Sequence, residues 1–237
     1  MKQPINNLES IIPLLDFKSK DDFYFVQIIK RRKENPEITM NCRQVATYYI
    51  RSVEQLRSLM DEIIQIADQE NARVYINPNK RNAHDIAIKV LEYYVTRLKD
   101  DKHNKEFISN IANIIELIEH EYYYLVMTKY KSKADHLIGK HPSEKDKKWI
   151  IDVDIEDKSE GDNPHKMIKL CSHLFNLQTK SNRVPLNKVI PTKNGYHIIT
   201  RPFNPKDFDY DYEIKKNSPT ILYIPMVIKP IDWELAD

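Results

Sequence analysis

Lys147-Lys148-Trp149-Ile150-Ile151-Asp152-Val153-Asp154-Ile155-Glu156-Asp157 is the stretch on which the reading of the fold turns. Trp149, Ile150, Ile151 and Val153 are aromatic or β-branched, the composition of a buried strand. Asp152 and Asp154 interrupt that run two residues apart, and side chains at this spacing leave a strand on the same face. Two like charges side by side repel, so the pair is stable with a cation or strong donors between them. Oxygen ligands favour a hard divalent ion, Mg²⁺ or Mn²⁺. Without an ion, the strand simply ends in a solvated acidic turn, since Glu156, Asp157, Glu160 and Asp162 follow at once.

The 237 residues, 41% hydrophobic and 30% charged, suffice for one substantial core. No apolar run reaches the roughly 18 to 20 residues that span a bilayer. Met1-Lys2-Gln3-Pro4 lacks the apolar core of a secretory signal, so no membrane partner is expected. Cys42 and Cys171 stand far apart without metal-type spacing, which implies a reduced, cytoplasmic setting. A net charge of +2 imposes no overall field. Lys30-Arg31-Arg32-Lys33, Lys80-Arg81, Lys129 to Lys133 and Lys145 to Lys148 are local basic patches, compatible with a phosphate-binding groove and equally with solvated faces.

On the N-terminal side, residues 23–29 and 45–50 read as strands, the first followed by the Asn35-Pro36 turn. Ser52 caps a helix with Gln55 as its capping-box partner, and Val53, Leu56, Leu59, Met60, Ile63, Ile66 and Ala67 form its inward stripe. Residues 72–76 form a third strand, with Arg73 and Tyr75 on one face and Lys80-Arg81 just past its end. Helices are expected over 83–98 and 105–125, then a basic polar loop over 128–148 broken by Gly139 and Pro142. Residues 1–127 thus read as an αβ and helical module.

On the C-terminal side, Asn163-Pro164 opens a helix to about residue 178, with Met167, Ile168, Cys171, Leu174 and Phe175 inward. Lys193-Asn194-Gly195 reads as a hairpin turn, because Asn and Gly tolerate positive φ. Thr192, Lys193 and His197 crowd that turn. A lone strand histidine is more often structural, but a lysine and a histidine near exposed backbone N–H groups suit the phosphates of a nucleotide or nucleic acid. Residues 220–225 form a last strand, before an irregular tail from Met226.

Ile151-Asp152-Val153-Asp154, then a helix, then Gly195-Tyr196-His197 resembles the archaeo-eukaryotic primase (primase-polymerase) superfamily. That family carries hydrophobic-Asp-hydrophobic-Asp on a strand, small residue-x-His on a later strand, and a third acid on a further one. The resemblance covers residues 147–225 and implies an α+β fold, residues 1–237 forming one primase-like domain. In it, 147–225 is an RRM-like half with a mixed or antiparallel catalytic sheet and flanking helices. It further implies that Asp152 and Asp154 bind two metal ions and that His197 contacts the phosphates of the incoming nucleotide, beside Lys193 and Thr192. Residues 221–224 contain no acid, which leaves Asp207, Asp209, Asp211 and Glu213 as candidate third ligands. Glu213 is the best placed, because Ile214 starts an apolar-flanked segment. Arg73, Tyr75, Lys80 and Arg81 are expected on the nucleic-acid side from their strand-end positions.

The function expected on this basis is nucleotidyl transfer with nucleoside triphosphates on a single-stranded nucleic-acid template, in DNA replication. Two ions roughly 3.5 to 4 Å apart would activate a 3′-hydroxyl and stabilise the leaving pyrophosphate. Two acids with a Lys and a His serve a metal-dependent nuclease equally well. A third alternative is a non-catalytic replication-accessory protein that keeps the primase fold and binds nucleic acid.

Overall fold

The strands divide between two antiparallel sheets in a computed structural model that describes residues 3–100, 105–140, 147–155 and 164–226, the side chains of 99, 100 and 164 apart. In chain order they are β1 (Ile5–Asn6), β2 (Asp22–Arg31), β3 (Cys42–Ile50), β4 (Arg73–Ile76), β5 (Arg81–Asn82), β6 (Trp149–Asp154), β7 (Asn187–Pro191), β8 (Gly195–Thr200), β9 (Glu213–Lys215) and β10 (Thr220–Ile224). The larger sheet runs β1-β10-β4-β2-β3, with β5 added to β2, and the smaller runs β7-β8-β6-β9. The α-helices are α1 (Leu8–Ile11), α2 (Val53–Gln69), α3 (Ala83–Asp100), α4 (Lys105–Glu119), α5 (Tyr123–Lys129), α6 (Lys131–Lys140) and α7 (Pro164–Lys180). The fold is therefore α+β with antiparallel sheets. Among the described residues no helix is long and apolar enough to cross a membrane.

Strand β2 is buried on both faces, which is why its apolar run hardly alternates. Tyr24, Val26 and Ile28 meet Val74 and Ile76 and the Leu56-Met60-Ile63-Ala67 stripe of α2. Phe23 and Phe25 face the other way, into Ile86, Val90, Ile114 and Met127 of the helical layer. Ser52 caps α2 as the sequence indicates, its hydroxyl accepting from the Gln55 N–H. The Gln55 amide oxygen, however, accepts from the Arg51 N–H, one residue before the N-cap, so the return bond of a capping box is displaced.

Three helices end alike. Asn71, Glu121 and Asn182 have φ of 45°, 57° and 52°, and each closes its helix with the paired backbone bonds of a Schellman motif. Asparagine tolerates that conformation, but Glu121 gives no such signal. This is why the helix expected over 105–125 is in fact α4 and α5, split at Glu121. The basic loop expected over 128–148 is also corrected, because its first part continues α5 and forms α6. Val126, Tyr130, Ala134 and Ile138 recur every four residues as a buried stripe beneath the lysines. Residues 141–146, the acidic turn at 156–162 and the tail from 227 lie outside the described residues.

The smaller sheet is held between two apolar layers. Ile151, Val153 and Ile198 pack on Leu170, Leu174 and Leu177 of α7. Ile168 and Phe175, expected inward, are instead exposed, one residue around the helix from the stripe that wins. On the opposite face Ile150, Ile190 and Ile199 enter the same core as Tyr24, Val26 and Ile76 of the larger sheet. Asn7 stitches the sheets by donating to the carbonyls of Pro191 at 2.9 Å and Ile221 at 3.1 Å. Asn79 exchanges a reciprocal pair of hydrogen bonds with the Lys148 backbone. Strand β10, expected with the C-terminal half, lies instead in the larger sheet between β1 and β4.

The β7–β8 hairpin forms where expected, closed by the Thr192 N–H donating to the Gly195 carbonyl at 2.8 Å. Positive φ is not the reason for its glycine. A Cβ at Gly195 would stand 1.9 Å from the Val153 carbonyl oxygen, so the close approach of β8 to β6 excludes a side chain. Gly139 has open space around its Cβ position within α6. Gly195→Ala is therefore expected to cost about 3 kcal/mol, the upper part of the overpacking range. Gly139→Ala is expected to stabilise by about 0.5 kcal/mol through helix propensity. Urea unfolding midpoints of the two variants check both signs.

Candidate functional site

Antiparallel register decides which side chains meet. Strand β6 lies between β8 and β9, and Asp152 is directly opposite His197 on one side and Glu213 on the other. Opposed residues of an antiparallel pair share a face, so Asp152, His197 and Glu213 form one row across three strands. Asp154 is the next residue along β6 on that face, opposite Gly195, and Lys215 lies on it opposite Ile150. The same face sends Ile150 and Ile199 into the core shared with the larger sheet, and Thr220 of β10 reaches the row from that side.

His197 is nearly buried, with Nδ1 2.9 Å from the Thr220 hydroxyl and Nε2 3.4 Å from Asp152 Oδ1. Burial holds the imidazole below its usual pKa of 6.5; Lys215 adds to this, against the opposing pull of Asp152 and Asp154. The ring is neutral at pH 7. A neutral ring satisfies both neighbours when Thr220 donates to Nδ1 and Nε2–H faces Asp152. The Lys215 ammonium bonds the other Asp152 oxygen and lies 3.3 Å from Glu213 Oε2. Burial would lower the pKa of this lysine, but its bonds to Asp152 and then Glu213 raise it above 10.5 and keep it charged.

The structure thus brings together Asp152, Asp154, His197 and Glu213, and adds Lys215 and Thr220. Glu213 supplies the third acid that the segment 221–224 lacks. Carboxylate oxygens beside an imidazole are a donor set that fits a hard divalent ion. Among the described residues no three His, Cys, Asp or Glu side chains already stand arranged around an ion position. The Lys215 ammonium supplies the positive charge between Asp152 and Glu213.

Lys193 does not join the row. Its ammonium is 3.1 Å from Glu34 Oε1, and Glu34, in the β2–β3 connection with its side chain 7% exposed, also takes the Arg73 guanidinium through Nε at 3.0 and 3.1 Å. Burial pushes the Glu34 carboxyl up, but Arg73 and then Lys193 outweigh it and hold the group below 4.5. Tyr75 interacts with Arg73, so Arg73, Tyr75 and Lys193 form a second cluster around Glu34. Thr192 serves to close the hairpin.

Lys80 is 2.7 Å from Asp22 Oδ2. Arg81 is buried and donates to the carbonyls of Asn79, Lys80 and Ile138 and to Asn217 Oδ1, and burial pushes its pKa down to about 10. It therefore stays cationic at neutral pH. Arg73, Lys80 and Arg81, expected on the nucleic-acid side, engage their charge inside the protein. Each lies beside a buried carboxylate or a cluster of carbonyls that the sequence does not place there.

Sequence reasoning missed Lys215, Thr220 and Glu34. The alternation Glu213-Ile214-Lys215 is a usable signal for the first, since it sets the lysine on the face of the glutamate. Thr220 and Glu34 reach their partners only through tertiary structure. Comparison with family models, curated proteins and solved structures finds no match for this chain.

Removing Glu34 leaves Arg73 and Lys193 without their carboxylate. Glu34→Gln is expected to lower stability at pH 7 by about 3 kcal/mol, the scale for breaking a buried pair. Because the folded-state pKa of Glu34 is depressed, its contribution is present above 4.5 and lost as pH falls through the folded value. The gap between wild type and variant in urea unfolding should therefore narrow progressively below about pH 4.5.

Proposed function

We propose that the chain is a primase-polymerase-type nucleotidyltransferase, joining nucleoside triphosphates on a single-stranded nucleic-acid template with two divalent ions, Mg²⁺ or Mn²⁺. The observation that carries this reading is the row itself. Asp152, Asp154, His197 and Glu213, remote in sequence, share one sheet face in strand register. The order β7-β8-β6-β9, all antiparallel with α7 after β6, supports an RRM-like arrangement of the second half. A single 3₁₀ turn, Pro205–Asp207, takes the place of a second helix before β9.

Asp152, Asp154 and Glu213 would hold the divalent ions, which would supply the Lewis acidity that nucleotidyl transfer to a 3′-hydroxyl needs. His197, seated on Thr220, orients Asp152 and gives a neutral ring at the edge of the phosphate site. Lys193 reaches phosphates only by leaving Glu34, which makes it a secondary contact. A second reading, a nucleic-acid-binding accessory protein without catalysis, is favoured by the Lys215 ammonium at Asp152 and Glu213.

Calorimetric titration of Mn²⁺ with a nucleoside triphosphate separates the two. The wild type is expected to bind the nucleotide only with metal, and Asp152→Asn/Asp154→Asn to weaken that binding at least about 100-fold. Absence of metal-dependent nucleotide binding in the wild type sinks the catalytic reading. Single-stranded oligonucleotide binding that survives in the double variant then supports the accessory one.

A further inference from the structure

Lys215 stands on β9, a three-residue strand paired only with β6 at the edge of the smaller sheet. Opposite it is Ile150, a core residue, so the lysine stem runs beside apolar surface while its head reaches diagonally to Asp152. Its ammonium touches both Asp152 and Glu213, two of the three acids assigned to metal. Three carboxylates and one ammonium leave the row with more negative than positive charge.

We propose that Lys215 is a built-in counter-ion that competes with divalent metal for Asp152 and Glu213, so that loading the site requires its ammonium to swing away. This inference rests on the metal-binding reading given above. The geometry sets the two cations in competition. Lys215 bonds one Asp152 oxygen and the other lies 3.4 Å from His197 Nε2, so an incoming ion meets the ammonium charge at this carboxylate until the lysine departs. A lysine suits this role because its head is a compact point charge on a flexible stem, which can release one carboxylate without moving the backbone. An arginine would hold the same acid through two parallel bonds and release it less readily.

The competition has two consequences. Without metal, the lysine keeps the carboxylates from repelling one another, so the row stays assembled. With metal, affinity is set by the difference between the ion and the lysine rather than by the acids alone. The site therefore binds more weakly than its three carboxylates would by themselves, and an anionic ligand that draws the lysine away tightens metal binding.

The test is Mn²⁺ calorimetry, without nucleotide, on wild type, Lys215→Met and Lys215→Arg, each checked for native circular dichroism. Lys215→Met should bind Mn²⁺ at least about tenfold tighter than wild type, and Lys215→Arg no tighter than wild type. Wild type that binds Mn²⁺ while Lys215→Met binds it equally or more weakly overturns the inference and leaves the metal-binding reading standing. Lys215→Arg as tight as Lys215→Met also overturns it, since a cation would then not be the competitor. No Mn²⁺ binding by any of the three proteins overturns both.

Discussion

Ile150, Ile190 and Ile199, buried against the larger sheet, fix everything polar that the smaller sheet displays. Asp152 is the next residue along the same face of β6 from Ile150, and His197 the next along β8 from Ile199. Side chains alternate with a period of two, so a slip of one residue would expose the isoleucines and bury the acids. The apolar half of the face thus holds the polar half in place, and α7 does the same from behind through Leu170, Leu174 and Leu177. A charged row is tolerable here because hydrophobic packing, and not ion pairing, sets the register.

Two ion clusters border the junction between the sheets, and they differ in kind. Glu34, Arg73 and Lys193 form a partly buried triad with more positive than negative charge, tying the β7–β8 hairpin to the β2–β3 connection. The row at Asp152 has more negative than positive charge and lies partly open. The first has the character of a clasp. The second keeps uncompensated negative charge on oxygen atoms beside a neutral imidazole, a donor set that fits a hard cation.

The acidic pair was legible because strand periodicity is local: Asp152 and Asp154 had to share a face wherever β6 went. The Gly195-Tyr196-His197 hairpin was legible for the same reason, although its glycine answers to the Val153 carbonyl and not to a turn conformation. Glu213 was legible only as the best of four acids, since register with β6 is a tertiary fact. Helices α5 and α6 were hidden because their buried stripe is one residue in four and the rest is lysine-rich. The internal partners of Arg73, Lys80 and Arg81 were illegible because a buried arginine and an exposed one look the same in sequence. Glu34, Asp22 and the Ile138 carbonyl arrive from segments tens of residues away.

Strand β10 sits between β1 and β4, with Ile5 opposite Ile224. During synthesis the early strands therefore emerge long before the strand that completes their sheet, and one edge of β4 waits with unpaired backbone groups. Loop-closure entropy over nearly the whole described chain must be met before that pairing forms, which slows assembly. Nascent chains held in this interval expose an apolar edge that invites association with other chains, so a chaperone or a brisk rate of translation bears directly on yield. The strand that completes the larger sheet is also the last in chain order among the described residues.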